Sequence, residues 1–147
     1  MTTRLRWLGH AALHIEADGV NVLIDPFLTG NPAAAARAEQ VPADFILVSH
    51  GHGDHLGDAI PIAKRTGATI ICNYEISEWL HKQGVAKAHG MQHGGAHNFP
   101  FGRCKLTLAF HGSNLPDGSY GGNPCGFLLT LKGDAKEPAR EIGRAHV

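Results

Sequence analysis

Phe45-Ile46-Leu47-Val48-Ser49-His50-Gly51-His52-Gly53-Asp54-His55 is the stretch on which the reading of this chain turns. Its first four residues form a continuous apolar run bounded by turn chemistry, the pattern of a strand buried on both faces. The seven that follow place three imidazoles and one carboxylate in a loop loosened by Gly51 and Gly53. Imidazole and carboxylate are preferred ligands of zinc and related divalent ions, and a catalytic site combines them with an open coordination position. Glycine has no Cβ, so the backbone can take the tight conformations that turn successive side chains toward one point. A buried strand handing ligands to a loop at its C-terminal end is also where open α/β sheets place their sites. A lone His-x-His reads as a solvated turn. The full His-x-His-x-Asp-His string after an apolar strand predicts a metal site.

Composition sets the frame. At 147 residues the expectation is one domain with its own core. Thirteen basic and thirteen acidic residues cancel, which argues against a nucleic-acid footprint or an anionic membrane as the main partner and leaves a small-molecule substrate, even an anionic one, open. No apolar stretch approaches the roughly 20 residues of a membrane span, and no signal-peptide run opens the chain. Cys72, Cys104 and Cys125 are odd in number and form no Cys-x-x-Cys pair, so they read as reduced, buried thiols of a cytoplasmic protein. Oligomeric state is not legible.

Working outward, residues 4–7 and 12–17 read as strands joined across Gly9-His10, and Asp18-Gly19 turns the chain into a third strand at 20–24. His14 falls within the second strand as a packed or edge residue. Residues 27–40 form a Gly/Pro/Ala-rich loop with a helical turn expected over 33–36. Asp58 is placed to cap a helix ending before Gly67, and 69–72 is a further buried strand. Ile76, Trp79 and Leu80 recur at helical spacing, putting Trp79 in the core and leaving His81 solvated. Residues 84–95 read as loop, and His89, His93 and His97 match no ligand spacing. Residues 105–110 form a strand ending in His111-Gly112-Ser113, an arrangement like that at His50. A polar loop over 114–124 able to border a pocket and a strand over 126–131 follow.

The His-x-His-x-Asp-His string is the hallmark of the metallo-β-lactamase superfamily, which this chain resembles, and more narrowly it is similar to the UPF0173-type metal-dependent hydrolases. The matching segments are Trp7-Leu8-Gly9-His10, the run from Ile24 to Pro32, the run from Val48 to Asp58, and Phe101-Gly102-Arg103. Leu108-Ala109-Phe110-His111-Gly112-Ser113 and Tyr120-Gly121-Gly122-Asn123-Pro124 complete them. The resemblance implies an α+β/α/β fold, a metallo-β-lactamase-type αββα sandwich, of which this chain supplies the first half and the start of the second. It implies that His50, His52 and His111 bind one metal and that Asp54 and His55 bind another. Asp25, at the end of Val22-Leu23-Ile24, would orient metal-bound histidines by accepting their second N–H. It also makes His10 a candidate for the rim of the site.

The implied activity is that of a dinuclear hydrolase whose metal-bridging hydroxide attacks an ester, lactone, amide or phosphodiester bond, with Asp54 orienting the hydroxide and accepting its proton. The implied cofactors are two divalent ions, zinc first, with Mn2+, Fe2+ or Ni2+ also compatible. The family pattern adds an Asp and a final His that have no match here. Residues 1–134 are therefore expected to be a partial domain. Residues 135–147, which read like an in-frame sequencing adapter, are expected to be an artefactual tail in which His146 carries no functional weight. The rival expectation is a non-catalytic or mononuclear metal-binding fragment. A chain holding only part of the fold is also expected to leave sheet surface uncovered.

Overall fold

The computed structural model describes residues 3–132 and the strand Arg140–Arg144. Strand β1 (Thr3–Gly9), β2 (Ala12–Ala17) and β3 (Val20–Ile24) form the expected antiparallel meander, with Leu5 opposite Ile15 and Ile15 opposite Val22. The sheet then continues parallel through β4 (Phe45–Leu47), β5 (Thr69–Asn73) and β6 (Ala88–Met91), giving six strands in chain order. Parallel neighbours need crossovers. The loop over 25–44 makes the first, from β3 to β4; α1 (Gly53–Leu56) and α2 (Ala59–Thr66) lie in the second, and α3 (Tyr74–Lys82) in the third. A second, antiparallel sheet of β7 (Ala96–Phe99), β8 (Gly102–Leu108), β9 (Cys125–Leu131) and β10 (Arg140–Arg144) runs in the order β10-β9-β8-β7.

Side chains alternate across a strand with period two, and here the alternation sorts the apolar residues into two cores. Leu23, Ile46, Ile70 and Cys72 pack with Ile62, Ile76 and Leu80 on the helical side. Their chain neighbours Val22, Ile24, Leu47 and Ile71 pack with Leu106, Phe127 and Leu129 between the sheets. Every one of these side chains is almost wholly buried, and each contributes about 1.5–3 kcal/mol by leaving water. The central strands are thus apolar at every position because both faces are covered. The layers among the described residues, helices over a mixed sheet over a second sheet, are the first three of the expected αββα sandwich. Leu5, Trp7, Leu108 and Phe110 remain exposed, Phe110 at 87%.

Four expectations need correction. Residues 84–95 are not all loop, because Ala88–Met91 pairs with β5 as an edge strand too short and Gly-containing to be read from alternation. Residues 33–36 form turns without a helix, held by Asn31 Oδ1 accepting from Ala33 N at 2.9 Å. Asp58 precedes α2, but its carboxylate turns away to accept from Leu28 N and Thr29 N, at 2.9 and 2.8 Å, pinning the preceding loop instead of capping the helix. Trp79 is only half-buried: its ring packs on the helical core while Nε1 donates to Asp117 Oδ2 at 2.7 Å. The segment expected as a tail lies mostly outside the described residues, His146 among them. Its described part, Arg140–Arg144, pairs with β9. Among the described residues no helix is long and apolar enough to cross a membrane.

Candidate metal centre

Strand β4 is central, and the chain leaves it at Val48 and Ser49 still bonded to its neighbours: Val48 N–H donates to Ile71 O at 3.0 Å. Beneath the loop lies Asp25, fully buried at the end of β3 with φ of 44°. That left-handed conformation is uncommon outside glycine, though Asp tolerates it. Here it aims the carboxylate at the next strand. Ser49 N–H donates to Asp25 Oδ1 at 2.8 Å, Ser49 Oγ to Asp25 Oδ2 at 2.7 Å, and His55 Nδ1 lies 3.0 Å from the same Oδ2. Ser49 Oγ is also 2.9 Å from His50 Nδ1.

Proton positions follow from this network. A carboxylate can only accept, so His55 Nδ1 and Ser49 Oγ carry the hydrogens. The serine oxygen then accepts from His50 Nδ1–H. Both imidazoles are set in the tautomer with the lone pair on Nε2, as a metal-binding histidine backed by a carboxylate requires.

Two donor groups result. His50, His52 and His111 bring their nitrogens within 4.8 Å of one another, with ring centroids 4.7, 4.8 and 5.1 Å apart. His10, Asp54 and His55 form the second group within the same limit. His10 Nε2 is 3.0 Å from Asp54 Oδ2, and His55 Nε2 is 3.9 Å from it. The groups adjoin through His50 and His55, whose rings are 4.1 Å apart. Partial burial pushes the Asp54 carboxyl upward, but the hydrogen bond to His10 and the nearby His55 and His10 charges outweigh it and hold Asp54 below the ordinary carboxylate value.

Glycine makes the close approach of the two strand ends possible. A Cβ on Gly51 would lie 2.9 Å from Ser113 O, and one on Gly112 would lie 3.3 Å from two atoms of the His52 ring. Gly51 N–H donates to Ser113 Oγ at 3.1 Å, and Ser113 Oγ donates to Gly121 O at 3.0 Å. The His111 turn is thereby fastened to the His50 loop. Imidazole and carboxylate atoms clustered at this spacing fit a divalent metal pair in chemistry and number.

Of the residues singled out in the sequence, His50, His52 and His111 meet in one group, Asp54 and His55 meet in the other, and Asp25 underlies both. His14 is buried against Asn21 Oδ1, His93 lies 2.7 Å from Pro124 O, and His89 and His97 face each other beside Phe99. None of these joins either group. Two participants were not legible as such: Ser49, and His10 as a donor facing Asp54. Resemblance marked His10 only as a candidate for the rim of the site, and nothing in the sequence places it over a loop 44 residues later.

Comparison with known proteins accords with this geometry. A UPF0173 metal-dependent hydrolase of Heliobacterium modesticaldum is 52% identical over 140 residues, covering 93% of this chain and 58% of the relative. Another from Carboxydothermus hydrogenoformans is 52% identical over 132 residues, covering 88% and 58%. The chain thus spans about 58% of the length of these curated relatives. Among solved structures, Igni18, a metallo hydrolase of Ignicoccus hospitalis, superposes with a TM-score of 0.77 at 33% identity over 90% of this chain and 57% of its own. The metallo-β-lactamase SMB-1, at 15% identity and a TM-score of 0.59 over 95% of this chain and 59% of its own, shares the fold. The Beta-lactamase superfamily domain matches residues 20–137, which takes in β3 through β9, Asp25 and all of both donor groups except His10. On that match the chain belongs to the β-lactamase superfamily.

Proposed function

We propose that the two donor groups are the metal centre of a metal-dependent hydrolase. His50, His52 and His111 would hold one divalent ion, and Asp54 and His55 would contribute to a second. The single observation that carries this reading is the chain from Asp25 through Ser49 to His50 and from Asp25 to His55. One buried carboxylate there sets the tautomer of a histidine in each group, a cost in desolvation that a merely structural loop does not require. Divalent metals, when bound, supply Lewis acidity and make water acidic enough to ionise near neutral pH.

The chain's own residues supply the rest. Asp25 and Ser49 fix the rings of His55 and His50, so that no reorientation is needed when substrate arrives. Asp54 stands half-exposed at the mouth of the centre, its Oδ2 held by His10 Nε2. It is ionised at neutral pH, with its carboxyl held below the ordinary value, which suits it to holding a cation and orienting a water; taking that water's proton would rest on its position and not on the shift. Zinc is the favoured ion because four of these five donors are imidazoles. The substrate class is a small molecule carrying an ester, lactone, amide or phosphodiester bond.

A second reading, a mononuclear centre at His50, His52 and His111, is favoured by exposure: two of the three donors of the second group, His10 and Asp54, are exposed, against one, His111, in the first. A hydrolysis panel run on zinc-loaded and chelator-stripped protein tests the hydrolase reading. Turnover that disappears with chelator and in Asp54→Asn is expected. Turnover untouched by both would overturn it.

A further inference from the structure

We infer that His10 is a third protein donor of the second metal site, completing with Asp54 and His55 a set as large as that of His50, His52 and His111. The inference rests on the metal reading above and deepens it.

His10 occupies the turn between β1 and β2 with φ of 50°. Few non-glycine residues adopt that region, His, Asn and Asp being the enriched ones, and such residues persist where the surroundings over-determine them. The surroundings here do so. Trp7 Nε1 donates to His10 O at 2.9 Å, and the imidazole stands edge-on to Phe27 with centroids 6.0 Å apart. Held this way, the ring reaches across to the metal loop, 5.1 Å centroid to centroid from His55. Its Nε2 lies 3.0 Å from Asp54 Oδ2. Two donors bound to one ion at about 2.0–2.1 Å sit about 3 Å apart, so the pair already has the spacing of co-ligands. His55 Nε2, 3.9 Å from the same oxygen, is the third corner. Its other nitrogen is committed to Asp25.

A hydrogen bond that merely orients Asp54 would need no third atom within reach. Nor would it need a strained backbone to bring an imidazole from a different hairpin.

Zinc titration of the chelator-stripped 147-residue protein, in competition with a chromophoric chelator, separates the possibilities. Wild type is compared with His10→Asn, whose residue tolerates the same φ, with His10→Gly as a second variant free of backbone strain, and with His111→Ala. The inference predicts two ions in wild type. Both His10 variants should keep one ion at unchanged affinity and bind the other at least tenfold more weakly, while His111→Ala should lose the complementary one. Two ions at wild-type affinity in both His10 variants would overturn it and leave His10 as a positioning residue. A single wild-type ion insensitive to His10 would also overturn it, with the metal reading intact. A His10-sensitive ion alongside no effect of His111→Ala would uphold the inference and overturn the three-histidine assignment. No zinc in wild type would overturn both.

Discussion

Asp25 Oδ2 lies 3.0 Å from His55 Nδ1, joining the end of β3 to the metal loop through an atom that has no solvent exposure. The same oxygen accepts from Ser49 Oγ. One carboxylate therefore sets the orientation of histidines in both donor groups.

Replacing Asp25 by Asn keeps the shape and the tolerance for positive φ but removes the charge that accepts from Ser49 and His55. Zinc affinity should fall about 10–100-fold, the usual effect of losing an outer carboxylate partner. Stability should fall by about 1–3 kcal/mol, because buried donors lose a charged acceptor. Competition titration and urea unfolding read the two effects. Affinity within threefold of wild type would remove Asp25 from the centre.

At the contact between the His50 and His111 turns, an added side chain would meet backbone at Gly51 and a movable ring at Gly112. In Gly51→Ala the new methyl meets Ser113 O at 2.9 Å, which backbone must absorb, at about 1–3 kcal/mol. In Gly112→Ala it meets the His52 ring at 3.3 Å, which the ring can relieve by moving. The first variant should unfold at lower denaturant. The second should stay nearly as stable but bind zinc less tightly. Equal behaviour of the two would contradict this division.

Asp117 provides a pH signature that involves neither donor group. Hydrogen bonds from the Ser119 hydroxyl and N–H, and then from Trp79 Nε1, lower its carboxyl from an ordinary 3.8 to about 2. A depressed pKa means a contribution present in full above the unfolded value and lost as pH falls from about 4 through about 2. The indole N–H resonance of Trp79 should titrate with a midpoint near 2. A midpoint near 4 would show that the Ser119 and Trp79 hydrogen bonds to Asp117 do not hold in solution.

Burial alone raises the thiol of Cys72, and it is also what raises Cys104, to about 12. Burial first, and then the Asp25 charge, raises Cys125. The thiolate is the reactive form, so the native protein at pH 8 should resist a disulfide reagent, and all three thiols should react once guanidinium unfolds it. Rapid modification of the native chain would contradict the packing described for both cores.

What the sequence made legible and what it did not divide along physical lines. The continuous apolar runs Phe45–Val48 and Val22–Ile24 announced buried strands, since burial on both faces calls for apolar residues at every position. The His-x-His-x-Asp-His string announced its chemistry because local spacing and ligand type coincide. His111 became legible only through resemblance, and the structure brings it to His50 and His52. Long-range partners without local pattern stayed hidden: His10 over Asp54, Ser49 between Asp25 and His50, and Asp58 turned from its helix to Leu28 and Thr29. Edge strand β6, with Gly90 in its middle, gave neither alternation nor β-branched enrichment.

X-ray absorption at the zinc edge of the metal-loaded protein tests the central claim most directly. The account predicts a nitrogen/oxygen shell at about 2.0–2.1 Å with imidazole outer-shell scattering that diminishes in His50→Ala. A sulfur shell at about 2.3 Å, or a shell of water alone that His50→Ala leaves unchanged, would contradict it.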